Sequence, residues 1–207
     1  MYTKNSFRAI VLVLLITLAP FISLAGPGPM TQLRPTLAKL TEILSDPNLK
    51  GDEHKVKRRA KIMNSIKEGF DFREMSKRIL GSTWNSISAQ EQDQFTELMT
   101  KLLENVYIGK LENYSDQTIG YVGERVKGER AQVSTLVEDN NIRIPVHYIM
   151  AMGQGRWMVY DINIEGVSLV RNYMEQFKSI LRSEKFEGLI KIIEDKNKSF
   201  AEGKAQG

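Results

Sequence analysis

The chain of 207 residues contains no cysteine and only two histidines, His54 and His147. The lack of cysteine excludes disulfide bonds and thiol nucleophiles, so packing alone must hold the fold together. A zinc site normally draws on several His or Cys ligands, and neither histidine has ligand spacing around it. The Gly-x-Ser-x-Gly motif of serine hydrolases is also absent. We therefore expect no metal, no cofactor and no enzymatic activity.

An excess of charge of one sign is missing as well. The chain has 29 basic and 25 acidic residues, a formal net charge of +4, and leaving out residues 1–25 lowers that excess to +2. Nucleic-acid binding is not expected, because it calls for a clustered basic stripe. The one basic cluster lies in residues 54–61, and spread around a helix it is typical of a solvated face. Contact with a partner or with anionic lipid is the alternative, and its candidate docking residues are Lys55, Lys57, Arg58, Arg59 and Lys61.

The first 25 residues have the pattern of a cleaved export signal. Lys4 and Arg8 precede an apolar stretch, and Ser23-Leu24-Ala25 forms a small-x-small cleavage site. Cleavage would leave Gly26 first, with no cysteine to accept a lipid. An uncleaved anchor is the alternative, but Pro20 breaks the run, which is short for a span of about 20 residues. We expect a mature protein in the periplasm.

The remaining residues, about 180, suit one domain, which we place at 26–200 with a polar tail at 201–207. Apolar residues at helical spacing predict a first helix over 31–44, a second that runs through the basic cluster and ends near 69, and a third over 72–80. A fourth, long helix starts at Ser88 and has its apolar residues along one stripe. Ser88 and Glu91 match the capping-box pattern. Two more amphipathic helices close the chain, the first capped by Ser168. We expect the sequence from Asn197 onward to fray.

Between the helices, alternating apolar and polar residues predict four strands. They cover 118–126, 130–138, 141–150 and 156–164, with turn residues between them, and so form an antiparallel meander. Alternation leaves the facing of the fourth strand ambiguous, since Trp157 and Val159 oppose Tyr160 and Ile162. A curved sheet with helices on one face is an α+β arrangement that can enclose a cavity.

Two features of the sequence are also found in enzymes. Gly153-Gln154-Gly155 lacks the following helix of a phosphate loop, so we interpret it as a hairpin turn. Asp161 with Tyr148 or Tyr160 could form an acid–base pair of the kind that small isomerases use. This pair is the best enzyme hypothesis that the residues offer.

Several motifs together resemble the MlaC family of periplasmic phospholipid carriers, also called toluene-tolerance auxiliary proteins. The resemblance covers residues 35 to 195 and is strongest toward the C-terminus. Met174 is a departure, because the family is expected to carry arginine there. The motifs are Phe70-Asp71-Phe72-Arg73-Glu74-Met75, Leu80-Gly81-Ser82-Thr83-Trp84, Ile144-Pro145-Val146, Trp157-x-Val159-Tyr160-Asp161, and Glu165-Gly166-Val167-Ser168-Leu169-Val170 with Asn172-Tyr173.

The resemblance implies an NTF2-like fold: a curved antiparallel meander of about four strands packed against several α-helices around an apolar lipid cavity. It also implies a bound phospholipid, an outer-membrane lipoprotein complex and an inner-membrane ABC transporter complex with an MCE-type protein as partners, and a role in maintaining outer-membrane lipid asymmetry. A periplasmic chaperone or adaptor that binds apolar peptide is the alternative. The candidate lipid-lining residues are Phe72, Met75, Leu98, Leu102, Val106, Val133, Ile144, Val146, Tyr148, Trp157, Val159, Val167, Tyr173 and Phe177.

Overall fold

The computed structural model describes residues 26–112, 117–139 and 142–204. The predicted signal at 1–25 lies outside the described residues, as do the last three residues of the predicted tail. Within the described part the α+β class is confirmed. The elements are α1 (Pro29–Ser45), α2 (Lys55–Gly69), α3 (Phe72–Leu80), α4 (Ala89–Glu112), β1 (Thr118–Lys127), β2 (Arg130–Asp139), β3 (Ile142–Gly153), β4 (Arg156–Ile164), β5 (Val167–Ser168), α5 (Leu169–Ser183) and α6 (Lys185–Ala201).

The strands form one antiparallel sheet in the order β1-β2-β3-β4-β5, so the predicted meander is confirmed. The sequence predicted about four strands and missed β5, because a strand of two residues has no alternation to detect. β3 also continues to Gly153, three residues beyond its predicted end. The turn at 153–155 is the predicted hairpin connection, with Gln154 and Gly155 at positive φ.

A β-bulge in β4 resolves the ambiguous facing of that strand. Tyr160 is the extra residue and pairs with no residue of β3. One extra residue shifts the two-residue alternation, so Val159 before the bulge and Ile162 after it point to the same face, although three positions separate them. The inner face of the sheet therefore includes Trp157, Val159, Ile162 and Ile164.

Side-chain caps fix the starts of three helices. The capping box is confirmed, since the Glu91 backbone N–H donates to the Ser88 hydroxyl over 3.2 Å and the Ser88 N–H donates to the Glu91 carboxylate over 2.7 Å. Asp71 caps α3 by accepting from Glu74, and Ser168 caps α5 by accepting from Arg171, as its sequence position predicted. These bonds satisfy backbone donors that a helix start leaves open.

Buried apolar side chains fall into three cores. The helix core is formed by α3, α4, α5 and α6 and includes Met75, Phe95 and Tyr173. The sheet core joins α1 to the inner face of the sheet and includes Leu37 and Tyr148. The junction core lies between the end of α1, α2 and the end of α4, and its buried members are Ile43, Leu44, Leu49, Ile62 and Ile108.

β4 connects the helices to the sheet. The Asp71 backbone N–H, at the start of α3, donates to the Val159 carbonyl over 2.8 Å. The guanidinium of Arg78 lies 4.0 Å from the centre of the Tyr160 ring. The buried carboxylate of Asp161 accepts the Ser168 hydroxyl over 2.6 Å and the Val170 backbone N–H over 2.9 Å. Three consecutive residues of one strand thus position α3 and α5.

The expectation that the chain frays from Asn197 is wrong. α6 continues to Ala201, and the Asn197 amide donates to the Leu98 carbonyl over 3.0 Å and accepts from the Asn105 amide over 3.0 Å. The polar composition of this segment suggested a solvated tail. The amides of Asn197 and Asn105 instead bond to each other between α6 and α4.

Replacing Asp161 with alanine should lower the free energy of unfolding by about 1 to 3 kcal/mol, because the buried Val170 N–H and the Ser168 hydroxyl lose their acceptor. Urea unfolding followed by circular dichroism measures the loss. Asp195→Ala on the exposed face of α6 is the matched control and should change little. Equal losses in the two variants would contradict a special role for the Asp161 cap.

Candidate functional site

An apolar cavity of about 550 Å³ lies where the three cores meet. This volume falls within the range of roughly 300 to 1,000 Å³ that is usual for small-molecule sites. The cavity wall draws on five helices and three strands. Its apolar lining consists of Leu37, Leu40, Met63, Ile66, Phe70, Phe72, Met75, Leu103, Tyr107, Ile108, Leu111, Tyr148, Ile162, Ile164, Val167 and Leu169.

The cavity stays open because the surrounding helices pack elsewhere. α4 packs mainly on α3 and α6, while α1 packs on α2 and the sheet. Gly69 allows the close crossing of α1 and α2, since a Cβ there would come within 2.5 Å of the Thr36 hydroxyl. No single core therefore extends across the space between α4 and the sheet.

The tyrosines around the cavity are held in their neutral form. Burial raises the pKa of Tyr148 to about 12, although the hydrogen bond of its hydroxyl with Thr135 acts in the opposite direction. Burial also raises the pKa values of Tyr107 and Tyr173, whose hydroxyls are hydrogen-bonded to each other. The rings of Tyr107 and Tyr148 therefore present uncharged surface to the cavity.

The geometry does not support an acid–base pair of Asp161 with Tyr148 or Tyr160. Asp161 is occupied at the start of α5, Tyr160 lies under Arg78, and neither residue lines the cavity. The Tyr148 hydroxyl is hydrogen-bonded to the Thr135 side chain. Among the described residues there is also no group of three His, Cys, Asp or Glu side chains that could hold a metal ion.

The exposed members of the lining mark the mouth of the cavity. Val167 is 63% exposed and Ile164 is 44% exposed, at the β4–β5 turn. Lys110 near the end of α4 and Asn172 in the first turns of α5 are exposed too. In contrast, Met75 and Ile108 are nearly inaccessible and form part of the floor. The mouth thus combines two apolar and two polar side chains.

Four of the fourteen predicted lining residues face this cavity: Phe72, Met75, Tyr148 and Val167. The other ten lie in the neighbouring cores. Leu98, Leu102, Val106, Tyr173 and Phe177 belong to the helix core or pack on it. Val133, Ile144, Val146, Trp157 and Val159 belong to the sheet core or pack on it. Sequence reasoning missed the lining from α1 and α2, whose apolar spacing was visible but equally typical of core.

A second, wider groove of about 1,080 Å³ lies on the other side of Phe70 and Phe72. These two rings stack with centroids 6.4 Å apart and line both spaces. Its remaining lining is largely charged, with basic and acidic side chains intermixed. The phenylalanine pair, together with Glu104, therefore lies at the boundary between an apolar cavity and a polar groove.

The basic cluster on α2 divides into two parts. Arg58 donates to Glu112 over 3.0 Å and to the Leu49 carbonyl over 2.6 Å, and Arg59 reaches the same carboxylate over 2.7 Å. Both arginines therefore hold α2 to the end of α4. Lys55, Lys57 and Lys61 are exposed, so they are the part of the cluster that can meet a partner.

Glu112 makes this contact sensitive to acid. Burial raises the pKa of its carboxyl, but the hydrogen bonds and charges of Arg59 and Arg58 outweigh burial and hold the pKa below its ordinary value. The carboxylate is only 9% exposed. A lowered pKa in the folded state contributes stability that is present at neutral pH and lost as the pH falls through that pKa.

Glu112→Gln should lower the free energy of unfolding at pH 7 by about 1.5 to 3 kcal/mol, the usual value of hydrogen bonds to charged groups. The difference from the wild type should begin to shrink below the ordinary glutamate pKa of about 4.3, where the unfolded chain takes up the proton, and should vanish as the pH falls through the lower pKa of the folded state. Denaturant unfolding at several pH values measures this. Glu68→Gln, at an exposed ion pair with Lys39, should show a small effect at every pH. A Glu112→Gln difference independent of pH would contradict the assignment.

Among the described residues, no helix is both long enough and apolar enough to cross a membrane. The family model described as MlaC protein matches residues 34–195. The intermembrane phospholipid transport system binding protein MlaC of Haemophilus influenzae is 24% identical over 198 residues, which cover 90% of each chain. A phospholipid-binding protein from Ralstonia solanacearum, solved in complex with a phospholipid, superposes with a TM-score of 0.77 at 24% identity, covering 84% of this chain and 99% of that chain. The resemblance in the motifs is confirmed.

Proposed function

The chain belongs to the MlaC family, and from this premise we propose that it binds a glycerophospholipid in the apolar cavity and carries it across the periplasm. The observation that supports the proposal most directly is the cavity itself, whose walls are apolar except for Glu104 and the two polar residues at the mouth. The solved relative from Ralstonia solanacearum has the same fold and holds a phospholipid. We propose further that the residues lining this cavity bind the lipid.

The physical need for such a carrier follows from the hydrophobic effect. A phospholipid with two acyl chains exposes roughly 30 methylenes when it leaves a bilayer, at a cost of about 0.8 kcal/mol each, or about 24 kcal/mol. A carrier must replace most of that burial with its own walls. Burial in the carrier then roughly balances burial in the membrane, so the carrier by itself sets no direction of transfer.

Direction must therefore come from the partners. We propose that an outer-membrane lipoprotein complex and an inner-membrane ABC transporter complex with an MCE-type protein exchange lipid with this chain, and that ATP hydrolysis belongs to the transporter. Such exchange would maintain the lipid asymmetry of the outer membrane. The periplasmic location rests on the signal pattern at residues 1–25.

Leu40→Trp should remove bound lipid without unfolding the protein. Leu40 is half-buried on α1 and lines the cavity, so a larger ring there occupies the space for acyl chains. Because the ring enters open space, the stability change should stay within about 1.5 kcal/mol. Native mass spectrometry and lipid extraction should show phospholipid on the purified wild type and little on the variant.

Leu181→Trp is the matched control for this experiment. Leu181 is also half-buried, but it packs on the helix core and does not line the cavity. The control should retain its lipid. Peptide adducts on the wild type in place of phospholipid would favour the chaperone or adaptor alternative, and equal lipid loss in both variants would contradict the cavity as the site.

The docking role of α2 is tested with its exposed lysines alone. Lys57→Glu with Lys61→Glu should leave bound lipid and folding unchanged but slow lipid transfer to the inner-membrane complex about tenfold at low salt, through the association rate. The difference should fade as salt screens the charges. Transfer of fluorescent phospholipid at two salt concentrations measures it.

The control for docking reverses Lys191 and Lys196, two exposed lysines of α6. It changes the net charge by the same amount at a different surface. If both double variants transfer lipid at the same rate, the effect is one of net charge and the docking role of α2 is refuted.

A further inference from the structure

Full charges are rare in the lining of the apolar cavity. Among the described residues that line it, Glu104 and Lys110 are the two with ionisable charge at neutral pH. The Glu104 carboxylate accepts from Lys101 over 3.1 Å, which offsets its charge. Lys110 has no carboxylate within ion-pair distance in the described part of the chain. Lys110 is therefore the one positive charge that the described residues place in the cavity lining without a carboxylate partner.

The position of Lys110 places that charge at the mouth. Its ammonium lies 5.3 Å from the centre of the Tyr107 ring, itself a wall of the cavity. Lys110 is exposed, as is Asn172, which also lines the mouth. A phosphate held there would keep contact with water while the attached chains enter the apolar floor. Deeper positions are closed to it, because a phosphate buried among uncharged walls would be unpaired.

We propose that Lys110 binds the phosphate of the lipid and thereby selects phosphate-bearing lipids over lipids with the same acyl chains and no phosphate. The proposal rests on the proposed function. The ammonium pairs with the phosphate oxygens, and the Asn172 amide offers a second donor at the mouth. The acyl chains fill the cavity whatever the head group is, so apolar burial supplies affinity and Lys110 supplies the choice of head group.

A plainer role for Lys110 is also testable. A lysine in the last turns of a helix interacts favourably with the helix dipole, and this interaction needs no ligand. That role predicts a small loss of stability in Lys110→Gln and no change in lipid choice. The two roles therefore differ in lipid selection rather than in folding.

The test uses the full chain, stripped of lipid, and mixed micelles of a nonionic detergent with equal amounts of dipalmitoyl phosphatidylglycerol and dipalmitoylglycerol. Mass spectrometry measures the ratio of the two lipids bound. The wild type should prefer phosphatidylglycerol, and Lys110→Gln should reduce that preference about two- to fivefold, as expected for an exposed charge pair. Lys110→Glu should reduce it further, and Lys110→Arg should retain it.

Lys191→Glu on α6 is the control for net charge and should keep the wild-type ratio, with circular dichroism confirming that every variant is folded. An unchanged ratio in Lys110→Gln and Lys110→Glu, with phosphatidylglycerol still bound, would overturn this proposal and leave the proposed function standing. Equal loss of both lipids would also overturn it, since it would show a role in cavity shape. A wild type that takes up neither lipid would overturn the proposed function itself.

Discussion

The contacts along the free edge of β4 hold the two layers of the molecule together. β5 pairs only with the last residues of β4, so the Val159 carbonyl and the neighbouring backbone need partners from elsewhere. The Asp71 N–H supplies one, and the Asp161 carboxylate binds the start of α5. The residues next to these two anchors, Phe70 and Phe72 on one side and Leu169 on the other, are walls of the cavity. The edge contacts therefore set the width of the cavity as well as the packing of the layers.

An open apolar cavity costs stability, because the atoms that line it lack contacts on one side. Here the cost is spread over three cores, each of which is well buried without the cavity: Ile62, Phe95 and Val133, one from each core, have no exposed surface. A ligand that fills the space adds contacts to all three at once. Its binding free energy then adds to the stability of the folded state, since the unfolded chain has no such site.

Much of the fold follows from local patterns in the sequence. Helix bounds at α3, the capping box at Ser88 and the hairpins of the meander were predicted because neighbouring residues determine them. The cavity lining was not, because an apolar stripe looks the same whether it meets another side chain or empty space, as Leu102 and Leu103 show on adjacent positions of α4. The pairing of Arg58 with Glu112 joins residues 54 positions apart, so no local pattern predicts it. The bulge at Tyr160 lies within a hairpin, but it breaks the alternation by which a strand is recognised.

The attachment of α1 also has a consequence for the order of folding. The hairpins of the sheet join residues close in sequence, and such contacts form quickly. α1 instead bonds to residues about a hundred positions later: the Met30 N–H donates to Glu124 over 2.7 Å, and the Trp157 N–H donates to Gln32 over 2.8 Å. A chain that emerges from its N-terminus thus presents α1 well before β4, and α1 can pack on α2 but not yet on the sheet. During that interval the apolar residues of α1 that belong to the sheet core are open to solvent and to other chains.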